Sequence, residues 1–460
     1  MNSRPTMLYT HATIITVDPA RRIIEDGAIY VRGNIIADLD ATSILRRRYP
    51  LEREYDLSGH IVVPGLISTH THTIQSLLRG TADNQALESW LEDVIRPLQR
   101  SMTAEEASVG VQLSVVEMLK SGTTCFLESM FLEHHDFNEL CVVVRDSGIR
   151  GCLGQTAPLP TSAENATERS ITNVVHSWKN WNGAANDRIR IWFGALTPGL
   201  AADDRFKEMT AVARSHGIPI TIHCAETQHQ YNSFVSLGHT PVSWAESVGL
   251  LAPSTVLVHM VHLDQSDDIP KLAASGAHIA HCPTSNAKLA SGIARVPELV
   301  AAGVNVSIGA DGAPCQNTCD LLQELKLAAI IQRSISHNPR LFRAETILEM
   351  GTINGARALG LADQIGSLEV GKKADLIAID IRKPHLQPCN NPVSNVVYSA
   401  TGRDVSVVVV DGQLIVDRGK VLTMDEEAII EAAKQKSYNI IQRAGLTDQI
   451  RSIWPVHQSR

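Results

Sequence analysis

The sequence predicts an α/β fold, a (β/α)8 TIM barrel carrying a composite β-sandwich built from both termini, and three observations predict it. Eight apolar, strand-like runs alternate with helix-length segments through the middle of the chain, at residues 61–72, 123–128, 150–156, 189–196, 219–226, 255–261, 278–285 and 304–311. Eight such units in roughly 300 residues are what a closed parallel barrel requires, because each strand needs a helix to return the chain. The two ends share a different texture, of short strands punctuated by turns. Finally, 460 residues, of which 44% are apolar and 20% charged, suffice for one large barrel and a smaller appendage. The expected division is residues 1–63 and 366–423 for the sandwich, 64–365 for the barrel and 424–460 for a C-terminal helical segment.

In chain order, residues 8–17, 28–31 and 34–38 read as strands separated by turns such as Arg32-Gly33-Asn34. The first barrel run, Ile61-Val-Val-Pro-Gly-Leu-Ile-Ser-Thr-His70-Thr-His72, ends in two imidazoles one residue apart. The period of two along an extended chain puts both rings on one side, a bidentate seat for a divalent metal. The fifth run ends in His223-Cys-Ala-Glu226, the sixth contains His259 and His262, and the eighth ends in Asp311. A barrel gathers such strand ends at one site whatever their separation in sequence. His262, three positions after His259, falls on the opposite face of an extended strand and is given a structural role. Residues 366–380 and 407–416 return to strand-and-turn texture, and 424–444 to helical spacing.

Composition narrows the partners. A formal net charge of −8 argues against a nucleic-acid backbone. No run approaches the ~20 apolar residues of a membrane span, and Met-Asn-Ser-Arg-Pro-Thr is not followed by a signal-peptide core, so no membrane association is expected. Eight cysteines without a C-x-x-C pair suit a reducing, cytoplasmic setting.

These motifs, Pro64-Gly-Leu-Ile-Ser-Thr-His-Thr-His72, His223-Cys-Ala-Glu-Thr227, His281-Cys-Pro-Thr-Ser-Asn286 followed by Lys288-Leu-Ala-Ser-Gly292, Gly309-Ala-Asp-Gly312 and the segment 366–376, run nearly end to end. In this the chain resembles the amidohydrolase superfamily, in the cytosine-deaminase-like branch that holds S-adenosylhomocysteine/methylthioadenosine deaminases, guanine deaminases and triazine hydrolases. The resemblance implies that His70, His72, His223 and Asp311 hold one divalent metal per subunit, zinc before iron. Water on such an ion has its pKa lowered from ~15.7 toward ~7. The resemblance further implies that Asp311 accepts a proton from that water, that His259 orients the attacking group, and that Glu226 shuttles a proton to a ring nitrogen. The lysine that binuclear relatives carry at the end of strand four is missing from residues 191–199.

The implied reaction is hydrolytic removal of an exocyclic amine, with release of ammonia, from a purine, nucleoside derivative, pterin or triazine. The alternatives are a triazine-type chlorohydrolase or amidohydrolase and a catalytically silent scaffold. Substrate contacts are expected from Arg79, Trp90, Glu226, His259 and His281. Adenosine-type relatives are expected to place a carboxylate immediately before the tryptophan, where this chain has Ser89, with Glu88 one place earlier. Cys315-Gln316-Asn317 likewise departs from the Ser-Asn-Asn pattern of such relatives. A homodimer or larger homo-oligomer is expected through residues 83–102, with Trp90 exposed for the contact.

Overall fold

The computed structural model describes residues 6–132, 135–159, 166–450 and 454. Eight parallel strands form the barrel wall: β1 (Leu66–Thr71), β2 (Thr123–Phe131), β3 (Arg150–Thr156), β4 (Ile189–Ala195), β5 (Ile220–Cys224), β6 (Thr255–His259), β7 (His278–His281) and β8 (Val306–Ile308). Each pairs in parallel with the next, with register shifts along β1–β2 and β2–β3, and helices follow them on the outside. The strands are buried along nearly their whole length, as expected of a sheet covered on both faces.

Closure of the ring depends on residues beyond the last strand. The Asp311 N–H donates to the His70 carbonyl at 2.9 Å, and the Ala310 N–H donates to Ser68 Oγ at 3.1 Å. Strands β1 and β8 are thus joined at their C-terminal ends. Gly309 is required at that seam, since a Cβ there would lie 2.6 Å from the His70 Cβ.

The second sheet is mostly antiparallel and uses both chain ends. Its order is Lys420–Val421, Gln413–Asp417, Val405–Val410, Leu376–Asp380, His60–Pro64, Met7–Ile15, Ile23–Arg32 and Ile35–Ala41, with Glu54–Asp56 also pairing to Met7–Ile15. Residues 61–72 therefore do not form one strand as expected. His60–Pro64 belongs to the terminal sheet, β1 belongs to the barrel, and the chain crosses between them at Gly65. No side chain fits at the crossing, because a Cβ on Gly65 would lie 2.0 Å from Thr124 Oγ1.

Several barrel strands are also shorter than their apolar runs. Ala225, His259, Met260 and Asp311 adopt φ of 52°, 73°, 48° and 64°, left-handed values that end the extended chain where the polar residues begin. His262 accordingly lies beyond β6, so the opposite-face argument does not apply to it. Its Nε2 meets the Ser291 carbonyl at 2.7 Å, which still gives it a structural role.

The sheet and the barrel are locked by a buried ion pair at the N-terminal end of β3. Arg150 donates to both carboxylate oxygens of Asp375 at 3.0 and 3.1 Å and to the Asp187 carbonyl at 3.2 Å. Asp375 also accepts the Asp411 N–H at 2.7 Å. The C-terminal helix, Glu426–Ala444, lies against the barrel helix Ala104–Lys120, buries Ile429, Ala433 and Ile440, and is pinned by Lys120 to Glu426 at 2.6 Å. Among the described residues no helix is long and apolar enough to cross a membrane, and the eight cysteines are free.

Candidate active site

The polar strand ends converge. His70 lies in β1, His72 follows it at the head of a short helix, His223 lies in β5 and Asp311 follows β8. His70 Nε2 stands 3.3 Å from Asp311 Oδ1, and His72 Nε2 stands 3.6 Å from the same oxygen. His72 Nε2 and His223 Nε2 face each other at 3.2 Å, with their rings parallel to within 3°.

These groups fit a divalent cation. Both ring nitrogens of His70 and Nδ1 of His223 are buried without a hydrogen-bond partner, an expensive arrangement unless something else engages them. Burial drives the imidazoles to the neutral form that ligates metal: it lowers His70, pushes His72 down to about 3 and takes His223 well below its ordinary value. Burial alone would raise Asp311, but the imidazole of His70 holds its carboxyl well below the usual carboxylate range. Three nitrogens and one carboxylate oxygen suit zinc. His259 and Cys282 also lie within reach, each grouped with His70 at 4.8 Å or less between ligand atoms. Burial pushes the Cys282 thiol far up, so it stays protonated. His259 is already engaged through Nδ1, which meets Asn286 Oδ1 at 2.9 Å.

Glu226 follows the left-handed Ala225, which turns the chain back over the barrel mouth, and the Glu226 N–H donates to Gln230 Oε1 at 3.1 Å. Its carboxyl is 4% exposed, and Oε2 lies 3.5 Å from His259 Nε2. Burial first, and then the nearby Asp311 charge, push it up to about 8. A carboxyl raised in this way suits a general acid.

A cavity of about 850 Å³ opens over this cluster, and His72, His223, Glu226, His259 and Asp311 line it. Trp90 lines it too and is buried at 4% exposure, which corrects the expectation that it is exposed for subunit contact. Glu88 faces the cavity and accepts from Thr227 Oγ1 at 2.9 Å, whereas Ser89 turns away to donate to the Ala86 carbonyl at 3.1 Å. A carboxylate therefore faces the cavity from one residue before the expected position. The chain continues as a π-helix over Trp90–Ile95, a geometry that ordinary helical spacing does not anticipate.

Two expected substrate contacts lie elsewhere. Arg79 does not line the cavity and is paired with Glu117 on the neighbouring helix. His281 is buried at the end of β7, also outside the lining. Of the Cys315-Gln316-Asn317 turn, Cys315 reaches the cavity, while Asn317 is bonded to Lys288. Sequence reasoning passed over Gln75 and Asn286. Gln75, three residues after His72, lines the cavity with a buried, unpartnered Oε1. Its signal was position alone, on the first turn after a ligand-bearing strand.

Comparison with known proteins places this geometry. Residues 61–415 match the amidohydrolase family. A 5-methylthioadenosine/S-adenosylhomocysteine deaminase of Pelotomaculum thermopropionicum is 34% identical over 439 residues, covering 95% of this chain and 99% of the relative. A 5′-deoxyadenosine deaminase of Methanosarcina acetivorans is 35% identical over 439 residues, with coverage of 95% and 99%. The crystal structure of an adenosine deaminase from Xanthomonas campestris with bound zinc superimposes with a TM-score of 0.90 at 29% identity, over 96% of this chain and 99% of that one.

Proposed function

This chain belongs to the amidohydrolase family, and from that premise we propose that it is a hydrolytic deaminase of an adenosine-type nucleoside, replacing the exocyclic amine with oxygen and releasing ammonia. The observation that carries the reading is the buried Glu226 carboxyl, 3.5 Å from His259, facing one cavity together with His72, His223 and Asp311 of the four-residue cluster.

His70, His72, His223 and Asp311 would hold one zinc ion, which when bound supplies the acidity that makes a water nucleophilic near neutral pH. The remaining chemistry belongs to side chains. Attack at the amine-bearing carbon pushes electron density onto the adjacent ring nitrogen, and the Glu226 proton meets it there. Asp311 is placed to pass the proton it takes from water on to the departing amine, and Glu226, then ionised, takes back a proton from the new hydroxyl as the carbonyl forms, which restores both carboxyls. Asp311, kept ionised by its histidine neighbours, is the base that takes the proton of the incoming water. His259, on the same side as Glu226, orients the groups between them.

Substrate selection in this reading falls to the cavity wall. Trp90 offers a flat face to a heterocycle, Glu88 offers an acceptor to sugar hydroxyls, and Leu196, Leu200 and Phe234 give an apolar wall suited to an uncharged 5′ substituent. An ammonia-release screen over adenosine, 5′-deoxyadenosine, methylthioadenosine, S-adenosylhomocysteine, guanine, a pterin, cytosine and an aminotriazine tests the proposal. Release from the 5′-modified adenosines is the expected result, and release from the triazine alone would overturn it. The reading extends to a cytoplasmic homo-oligomer. It is supported by the free cysteines and by Leu200, Val235 and Leu237 exposed near the cavity, and light scattering at micromolar concentration checks the assembly.

A further inference from the structure

Asn286, the last residue of the His281-Cys-Pro-Thr-Ser-Asn286 motif, has no part in the reaction as described, yet it is 1% exposed and bonded to a residue that does. It lies in the helix Pro283–Lys288 that follows β7. Its backbone is fixed from both sides, since its N–H donates to the Cys282 carbonyl at 3.1 Å and its carbonyl accepts the Ser291 N–H at 2.9 Å. The side-chain Oδ1 is thereby held 2.9 Å from His259 Nδ1.

His259 needs such a hold. Its backbone sits at φ 73°, a left-handed conformation that is strained for a bulky residue and persists only when neighbours enforce it. A neutral imidazole carries its hydrogen on one nitrogen and a lone pair on the other. Which nitrogen carries it decides what the ring offers to the cavity.

We propose that Asn286 is a positioning residue that accepts the His259 Nδ1–H and fixes that tautomer, so that Nε2, on the Glu226 side, presents a lone pair to the reacting groups. An amide does this without adding charge. What Nε2 then does in turnover rests on the deaminase reading, whereas the tautomer itself does not.

The test has a spectroscopic and a kinetic part. Two-bond 1H–15N correlation spectra of 15N-histidine-labelled wild type, with His259→Gln to assign the signals, should show the Nδ1–H pattern for His259. An Nε2–H pattern overturns the proposal. Asn286→Leu removes the acceptor at similar size and should lower kcat by roughly 10–100-fold, the usual cost of losing a group that orients a site histidine, with KM and metal content unchanged. Asn286→Asp restores an acceptor and should recover about tenfold of that loss. A leucine variant with undiminished kcat, or an aspartate variant as poor as the leucine one, overturns the proposal. If either variant fails to fold, the wild-type spectrum still decides. Failure of every amino-heterocycle in the ammonia screen would remove the deaminase reading and leave the spectrum standing on its own.

Discussion

The two ends of the barrel bury charge in opposite ways. At the N-terminal end, Arg150 and Asp375 are 1% and 2% exposed, and four hydrogen bonds hold them: two between the guanidinium and the carboxylate, one to the Asp187 carbonyl and one from the Asp411 N–H. At the C-terminal end, His70 is 0% exposed, yet neither of its ring nitrogens has a hydrogen-bond partner, and His223 leaves Nδ1 without one. Burial of polar groups is common to both. What separates them is satisfaction: a buried ion pair with its valences filled has nothing left to offer a ligand, whereas neutral imidazoles with open lone pairs do.

The contrast can be broken by substitution, and the largest effect should come from the open end. Asp311→Ala and His72→Ala should lower turnover by roughly 10⁴-fold or more, the scale of the several kcal/mol a metal ion contributes, with the metal lost and the Tm of metal-free protein nearly unchanged. Elemental analysis beside thermal melts checks this, and one zinc per chain is expected in the wild type. Next in size is Arg150→Met, which strands the Asp375 carboxylate and should cost about 3–5 kcal/mol of stability, read from denaturant unfolding. If the folded fraction keeps its kcat, the two ends are independent, and a catalytic defect in that fraction would undo the comparison.

Glu226→Gln comes third. It should retain metal and still bind product analogues while kcat falls by at least ~10², since the amide preserves shape but has no transferable proton. Near-normal kcat would remove Glu226 from the chemistry. The smallest effect is on stability against pH. Folding raises the Glu226 value to about 8, so above the ordinary carboxyl range the folded chain holds a proton that the unfolded chain has released. Stability of the metal-free protein should therefore decline as pH rises toward about 8, and Glu226→Gln should decline less. Melting curves of both proteins from pH 5 to 9 measure the gap, which should widen with pH.

The same contrast explains what was legible in the sequence. Hydrophobic runs locate the barrel strands because burial on both faces leaves a continuous apolar signal, and His70, His72, His223 and Asp311 stand out as polar interruptions at their ends. The strand limits were overread because left-handed turns at Ala225, His259 and Asp311 leave no mark in hydropathy. The division of residues 61–72 between two sheets turns on a steric fact at Gly65, its approach to Thr124. The Arg150–Asp375 pair spans 225 positions and had no local signature. Glu88 was named beside Ser89, but sequence alone left the choice open, because which of two adjacent residues faces a cavity depends on helix phase. The π-helical turn that begins at Trp90 changes that phase.

The seam between β1 and β8 carries a consequence for motion. Asp311 closes the ring through its N–H and lines the site through its carboxylate, while His70 does the same through its carbonyl and its ring. The backbone that completes the barrel is therefore the backbone that would grip the ion. An ion held there would brace a seam that is already closed, and the amides of Ala310 and Asp311 become its reporters: their exchange with deuterium should slow once zinc is added, while the amides of β3 and β4 on the far wall keep one rate throughout.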